Sequence, residues 1–172
     1  ALAAIAVGEA FKISKTEIAK ALAGFRSTNM RMELKNANGF KIVSDCYNAN
    51  PSSTKMALQT IGNMKVSRRI AILGDMLELG KMTDELHVQM GEMVPEMNFD
   101  MLFTVGEKAK LYVKGAKSKG MKKAYHFESV QALIDNLTEA VAEGDVLLIK
   151  GSRGMHMEQV VDAMLRLTKV NA

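Results

Sequence analysis

The chain has 172 residues, room for one domain or for one domain and part of another, and too few for a multidomain machine. Hydrophobic residues make up 48% and charged residues 24%, with two prolines and no low-complexity tract, which excludes a disordered chain and implies a sizeable core. The net charge of +4 is diffuse, and the densest basic stretch, residues 114–123, contains no aromatic residue on which bases could stack, so it reads as a solvated helix end and loop. No apolar run nears the roughly 20 residues that cross a bilayer, and no secretion signal is evident. The single cysteine, Cys46, has no internal disulfide partner, which suits a reducing compartment. Together these features predict a cytoplasmic protein without nucleic-acid or membrane partners. His87, His126 and His156 are far apart and none has a metal-ligand spacing, so no metal site is expected, and the 14 methionines are assigned to core filling.

In chain order, residues 1–10 are alanine-rich and helical but start without a cap. Ser14 with Glu17 is a capping-box pattern that opens a second helix, which stops at Gly24. Two short helices bury no core by themselves, so residues 1–29 are expected to be the tail of a preceding domain and residues 30–172 a domain of their own. From residue 30 the texture changes to alternating apolar and polar residues around Asn36-Ala-Asn-Gly39, a β-hairpin signal. Asn50-Pro51 then caps a helix through Ala57, Ile61 and Met64.

The remainder alternates strand and helix. A strand at 69–73 precedes a helix capped by Thr83, with Leu86, Met90, Met93 and Val94 as its apolar face and Pro95 as its boundary. A strand at 101–105 leads to a helix with Ala109, Tyr112, Val113 and Ala116 on one face, then a short strand at 124–127. Ser129 caps a helix facing inward through Val130, Leu133, Ile134, Leu137 and Val141. The most apolar strand, 146–149, precedes a last helix with Met157, Val160, Val161, Met164 and Leu165 inward. The pattern predicts an α/β, Rossmann-like fold: a mostly parallel sheet with helices on both faces and an antiparallel edge hairpin, its strand order open.

Ligands of open parallel sheets bind beyond the carboxyl ends of the strands. Here those ends read Asp45-Cys-Tyr-Asn-Ala-Asn50, Gly74-Asp75, Gly106-Glu107 and Lys150-Gly-Ser-Arg-Gly154. Asp45 is placed to accept hydrogen bonds from a ribose diol or to cap the following turn. The loop from Lys150 offers two cations, a hydroxyl and backbone N–H groups to a phosphate or carboxylate. No phosphate loop G-x-x-x-x-G-K-[ST], no G-x-G-x-x-G and no G-x-S-x-G occurs in the chain. Either the chain is a binding module, or another segment completes its catalytic centre.

Three segments, Asp45-Cys-Tyr-Asn-Ala-Asn-Pro-Ser-Ser53, Ile72-Leu-Gly-Asp-Met-Leu-Glu-Leu-Gly80 and Lys150-Gly-Ser-Arg-Gly154, resemble, in order and spacing, signature motifs of the Mur ligase family. The likeness is to the C-terminal domain of the member that adds D-Ala-D-Ala to UDP-N-acetylmuramoyl-tripeptide in peptidoglycan synthesis, with residues 1–24 similar to the last helices of the central ATPase domain. The resemblance implies ATP and Mg2+ as cofactors and an acyl phosphate as intermediate. The phosphate loop and most metal ligands would lie in the central domain, so the chain alone is expected to be inactive and to need the N-terminal and central domains.

By position, the resemblance assigns Arg31 to the nucleotide phosphates, Asp45 to the ribose, and Asn48 and Asn50 to the border between nucleotide and substrate. It assigns Asp75, Glu78, Lys150, Ser152 and Arg153 to the amine substrate. Cys46 stands where the family favours small residues, and His156 where arginine is frequent. A stand-alone nucleotide- or peptide-binding module, and an amide ligase of the folylpolyglutamate type, are the alternatives.

Overall fold

The computed structural model describes residues 2–25 and 30–167. Helices α1 (Leu2–Ala10) and α2 (Lys15–Ala23) pack on each other, Ile18 fitting against Gly8. The capping box forms as expected: Glu17 N–H donates to Ser14 Oγ at 3.3 Å, and the Glu17 carboxylate accepts from Ser14 N–H at 3.2 Å. The domain boundary expected at residue 29 lies outside the described residues.

Beyond it the chain forms β1 (Glu33–Asn36), β2 (Lys41–Asp45), α3 (Pro51–Gly62), β3 (Arg68–Gly74), α4 (Thr83–Glu96), β4 (Met101–Val105) and α5 (Lys110–Ser118). It continues with β5 (Ala124–Phe127), α6 (Val130–Ala140), β6 (Asp145–Lys150) and α7 (Glu158–Arg166). One six-stranded sheet results, in the order β1-β2-β6-β3-β4-β5. Only the β1/β2 pair is antiparallel, with Glu33 opposite Ser44, so the expected edge hairpin is present. The last strand in sequence, β6, is inserted between β2 and β3, pairing in parallel with both.

Side chains alternate across the central strands. Ala71, Leu73, Val146 and Leu148 face a core shared with α3, α4 and α5, while Ile70, Ile72, Leu147 and Ile149 face one shared with α6 and α7. Burial on both faces explains why these strands read as continuous apolar runs.

Four local expectations are corrected. Thr83 is the first residue of α4 rather than its cap; a 3-10 turn, Gly80–Met82, precedes the helix, and the Thr83 hydroxyl donates to Gly80 O at 2.7 Å. Pro95 does not end α4, which runs to Glu96: lacking an N–H it forgoes its own bond to the carbonyl four residues back, but Met97 N–H still donates to Met93 O at 2.9 Å. Helix α3 ends at Gly62 with Asn63 as its C-cap, so Met64 packs on the core from beyond the helix. Leu165 is partly exposed, one position past the inward stripe of Val160, Val161 and Met164.

At the amino end of β6, Asp145 is 2% exposed and forms a two-pronged pair with Arg68: Nε to Oδ1 at 2.7 Å and Nη2 to Oδ2 at 2.6 Å. Its Oδ2 also accepts from Ala142 N–H at 2.8 Å. Removing one member of such a pair strands the other, so Asp145→Ala should lower unfolding free energy by about 3 kcal/mol. A denaturant titration checks this, and a change below about 1 kcal/mol would contradict the account.

Candidate functional site

Because β6 lies between β2 and β3 but is followed by a helix on the opposite face of the sheet from α3 and α4, the loops leaving these strands diverge, and their carboxyl ends flank the crevice where such sheets bind ligands. Two pockets open at this place. The smaller, about 220 Å³, is lined by Arg31, Asp45, Tyr47, Asn48, Asn50, Ser53 and Lys150. The larger, about 360 Å³, is lined by Tyr47, Asn48, Leu77, Glu78, Ser152, Arg153 and Gly154. Tyr47 and Asn48 belong to both.

Two buried ties hold the rim together. Asp45 and Lys150 are paired in register at the ends of β2 and β6. Lys150 is buried, and its ammonium donates to Asp45 Oδ2 at 2.6 Å and to Asn48 O at 2.8 Å. The other Asp45 oxygen, Oδ1, accepts from Met32 N–H at 3.1 Å, which fastens the segment carrying Arg31. Ser152 makes the second tie: its Oγ accepts from Leu77 N–H at 2.8 Å and donates to Ala49 O at 3.3 Å, and its N–H donates to Asp75 O at 3.0 Å. Gly151 lets the β3 and β6 ends converge, since a Cβ there would stand 2.7 Å from Met157 Cγ and 3.3 Å from Gly74 Cα.

All the residues singled out in the sequence line one of the two pockets except Asp75. Asp75 is 5% exposed, and its Oδ1 accepts from Lys108 N–H at 3.1 Å and Ala109 N–H at 2.6 Å, satisfying donors at the start of α5. Asn50 caps α3, with Oδ1 accepting from Ser53 N–H at 2.8 Å. Of the two cations in the β6 loop, Lys150 turns inward, while the Arg153 side chain is 57% exposed. Glu78 is exposed and its φ of 63° is uncommon for a residue with a side chain, the kind of local strain that concentrates at functional sites.

Sequence reasoning passed over His87, Tyr47 and Leu77. His87 is buried; its Nε2 accepts from Met76 N–H at 3.0 Å, and its Nδ1 lies 2.6 Å from Thr83 O. A carbonyl only accepts, so Nδ1 carries the proton, and the neutral ring pins the 74–80 loop to α4. Its position four residues after Thr83 does not by itself announce that contact. Tyr47 is a half-exposed aromatic in the loop after β2, and Leu77 is likewise exposed beside the larger pocket, features that only the arrangement of the strands makes meaningful.

A mostly parallel sheet with helices on both faces and two pockets at its carboxyl rim is a Rossmann-like domain. Residues 30–153 match the family described as "Mur ligase, glutamate ligase domain". The chain is 35% identical over 168 residues to the UDP-N-acetylmuramoyl-tripeptide--D-alanyl-D-alanine ligase of Bacillus subtilis, covering 96% of this chain and 37% of that protein. Among solved structures, MurF from Acinetobacter baumannii aligns with a TM-score of 0.81 at 25% identity, over 95% of this chain and 36% of that one. A MurF ligase from Thermotoga maritima in complex with ADP aligns with a TM-score of 0.80 at 22% identity, over 94% and 36%. The chain belongs to the Mur ligase family. It spans about a third of the length of the curated relatives it matches.

Cys46 lies beneath the site, 1% exposed, its thiol donating to Ile149 O at 3.4 Å. Burial raises its pKa from the ordinary 9.0 to about 11. Between those values the folded chain keeps a proton that the unfolded chain has lost. The thiol's contribution is therefore intact below pH 9, and stability should fall as pH rises from about 9 to about 11. At pH 8 a thiol reagent should modify the native chain at least about 100-fold more slowly than the unfolded chain. Equal rates would refute the buried, neutral thiol.

Proposed function

We propose that this chain is the C-terminal part of an ATP-dependent ligase that joins D-Ala-D-Ala to UDP-N-acetylmuramoyl-tripeptide through an acyl phosphate, in cytoplasmic peptidoglycan synthesis. The observation that supports it most directly is that three motifs far apart in sequence form one rim with two adjoining pockets of different chemistry. The ligase activity for which the relatives are named and their greater length support the same reading.

The smaller pocket suits a nucleotide. Arg31 is exposed and offers a planar cation to phosphates, and Asp45, with a side chain 13% exposed, accepts one hydrogen bond at each oxygen and retains lone pairs for ribose hydroxyls. Asn48 and Asn50 border this pocket. The larger pocket suits a dipeptide, a molecule with an ammonium at one end and a carboxylate at the other. Glu78 and Arg153 present the complementary charges beside Ser152, which lines the same pocket, whereas Lys150, expected on the amine side, lines the smaller pocket and Asp75 lines neither. Mg2+ would neutralise phosphate charge during transfer. By the family resemblance, most of its ligands would lie in the central domain rather than in this chain.

The chain mixed with ATP, UDP-tripeptide and D-Ala-D-Ala should show no turnover without those further domains; robust turnover by the chain alone would overturn the division of labour. In the full-length ligase, Arg31→Ala should raise the KM for ATP about tenfold with little change for the dipeptide, because one charge-assisted contact is lost. Arg153→Ala should do the reverse. Steady-state kinetics on each substrate in turn checks the split, and equal effects on both KM values would contradict the two-pocket assignment.

A further inference from the structure

Tyr47 is the aromatic shared by both pockets, and it is already engaged: the Arg31 guanidinium lies over its ring, 4.0 Å from the centroid. The backbone around Arg31 is unusual as well. Met30 and Met32, on either side, have φ of 63° and 48°, left-handed conformations that cost energy for residues with side chains. Such a turn persists only if its surroundings hold it. Met30 N–H donates to Glu33 Oε2 at 3.2 Å, Met32 N–H to Asp45 Oδ1 at 3.1 Å, and Tyr47 N–H to Met30 O at 3.1 Å. Tyr47 thus grips the arginine segment twice, through its backbone and through its ring.

We propose that Tyr47 is the positioning residue for Arg31, holding its guanidinium over the smaller pocket in readiness for the phosphate chain of a nucleotide. An arginine side chain free in solvent pays rotamer entropy on each binding event, and one resting on an aromatic face has paid part of it in advance. Tyr47 also lines the neighbouring pocket, so the residue that steadies Arg31 is common to both. This inference rests on the nucleotide reading of the smaller pocket.

The test measures equilibrium binding of ATP and of AMP to the full-length ligase by calorimetry. Tyr47→Leu should weaken ATP about fivefold, the range of an exposed cation–π contact, and leave AMP unchanged, because the lost contact acts through the distal phosphates. Tyr47→Phe and Tyr47→Trp keep a ring face and should restore ATP binding; the Trp variant also carries the test if the Leu variant fails to fold. Tyr47→Leu combined with Arg31→Ala should bind ATP no more weakly than Arg31→Ala alone, since both remove one interaction. The proposal is overturned if Tyr47→Leu binds ATP as the parent does, if Tyr47→Phe is as weak as Tyr47→Leu, or if the two losses add. A parent ligase whose ATP affinity does not respond to Arg31→Ala would instead refute the nucleotide reading, a separate outcome.

Discussion

The rim is organised around one buried ammonium. Lys150 sits at the end of the central strand β6 with almost no solvent contact, a position that costs several kcal/mol unless the charge is paired and its protons are accepted. The pairing is supplied by the carboxylate of Asp45 at the end of the adjacent strand β2 and the carbonyl of Asn48 in the loop after it. This fixes the relation between the two loops that follow, because shifting either one would leave a charge unpaired in the interior. Asp45 passes the constraint outward to the Met32 backbone, and so to the turn that carries Arg31.

Ser152 extends the same frame to the third loop. One hydroxyl and one amide connect it to Leu77, Ala49 and Asp75, so the ends of β2, β3 and β6 are tied through a single residue two positions beyond Lys150. Beneath it, Asp75 satisfies the first donors of α5 and His87 pins the 74–80 loop to α4. The interior members of the motifs therefore build the rim, while the groups left facing outward are Arg31, Tyr47, Asn48, Glu78 and Arg153. The buried polar residues set geometry, Asp45 from a part-buried position at the pocket edge, while Arg31 rests on Tyr47 and Arg153 lies 4.0 Å from Glu158 at the exposed side of the rim.

Much of this was legible in sequence. The capping signals at Ser14, Asn50 and Ser129 mark helix starts that the structure shows, because a cap is a contact between residues three apart. The apolar stripes of α5 and α6 follow from helical period for the same local reason. Thr83 and Pro95 misled because each is a strong local signal set against its context: a 3-10 turn takes the capping place, and the last turn of α4 tolerates a proline. The motif residues of the rim were recognisable as such, yet their division into inward and outward groups was not. Lys150 and Arg153 are cations three positions apart in one Lys-Gly-Ser-Arg-Gly segment, and nothing within that segment says which is buried.

By itself the sequence determined the alternation of strands and helices, the burial of the central strands on both faces, and the three polar loops at their carboxyl ends. These depend on period, caps and turn residues within a few positions of one another. Only the tertiary structure decided that β6 enters between β2 and β3, that Lys150 is spent on Asp45 while Arg153 faces solvent, and that Tyr47 lies under Arg31 between two pockets. Those outcomes join residues up to 105 positions apart, and they are settled by which strand edges pair and which charges can be satisfied away from water.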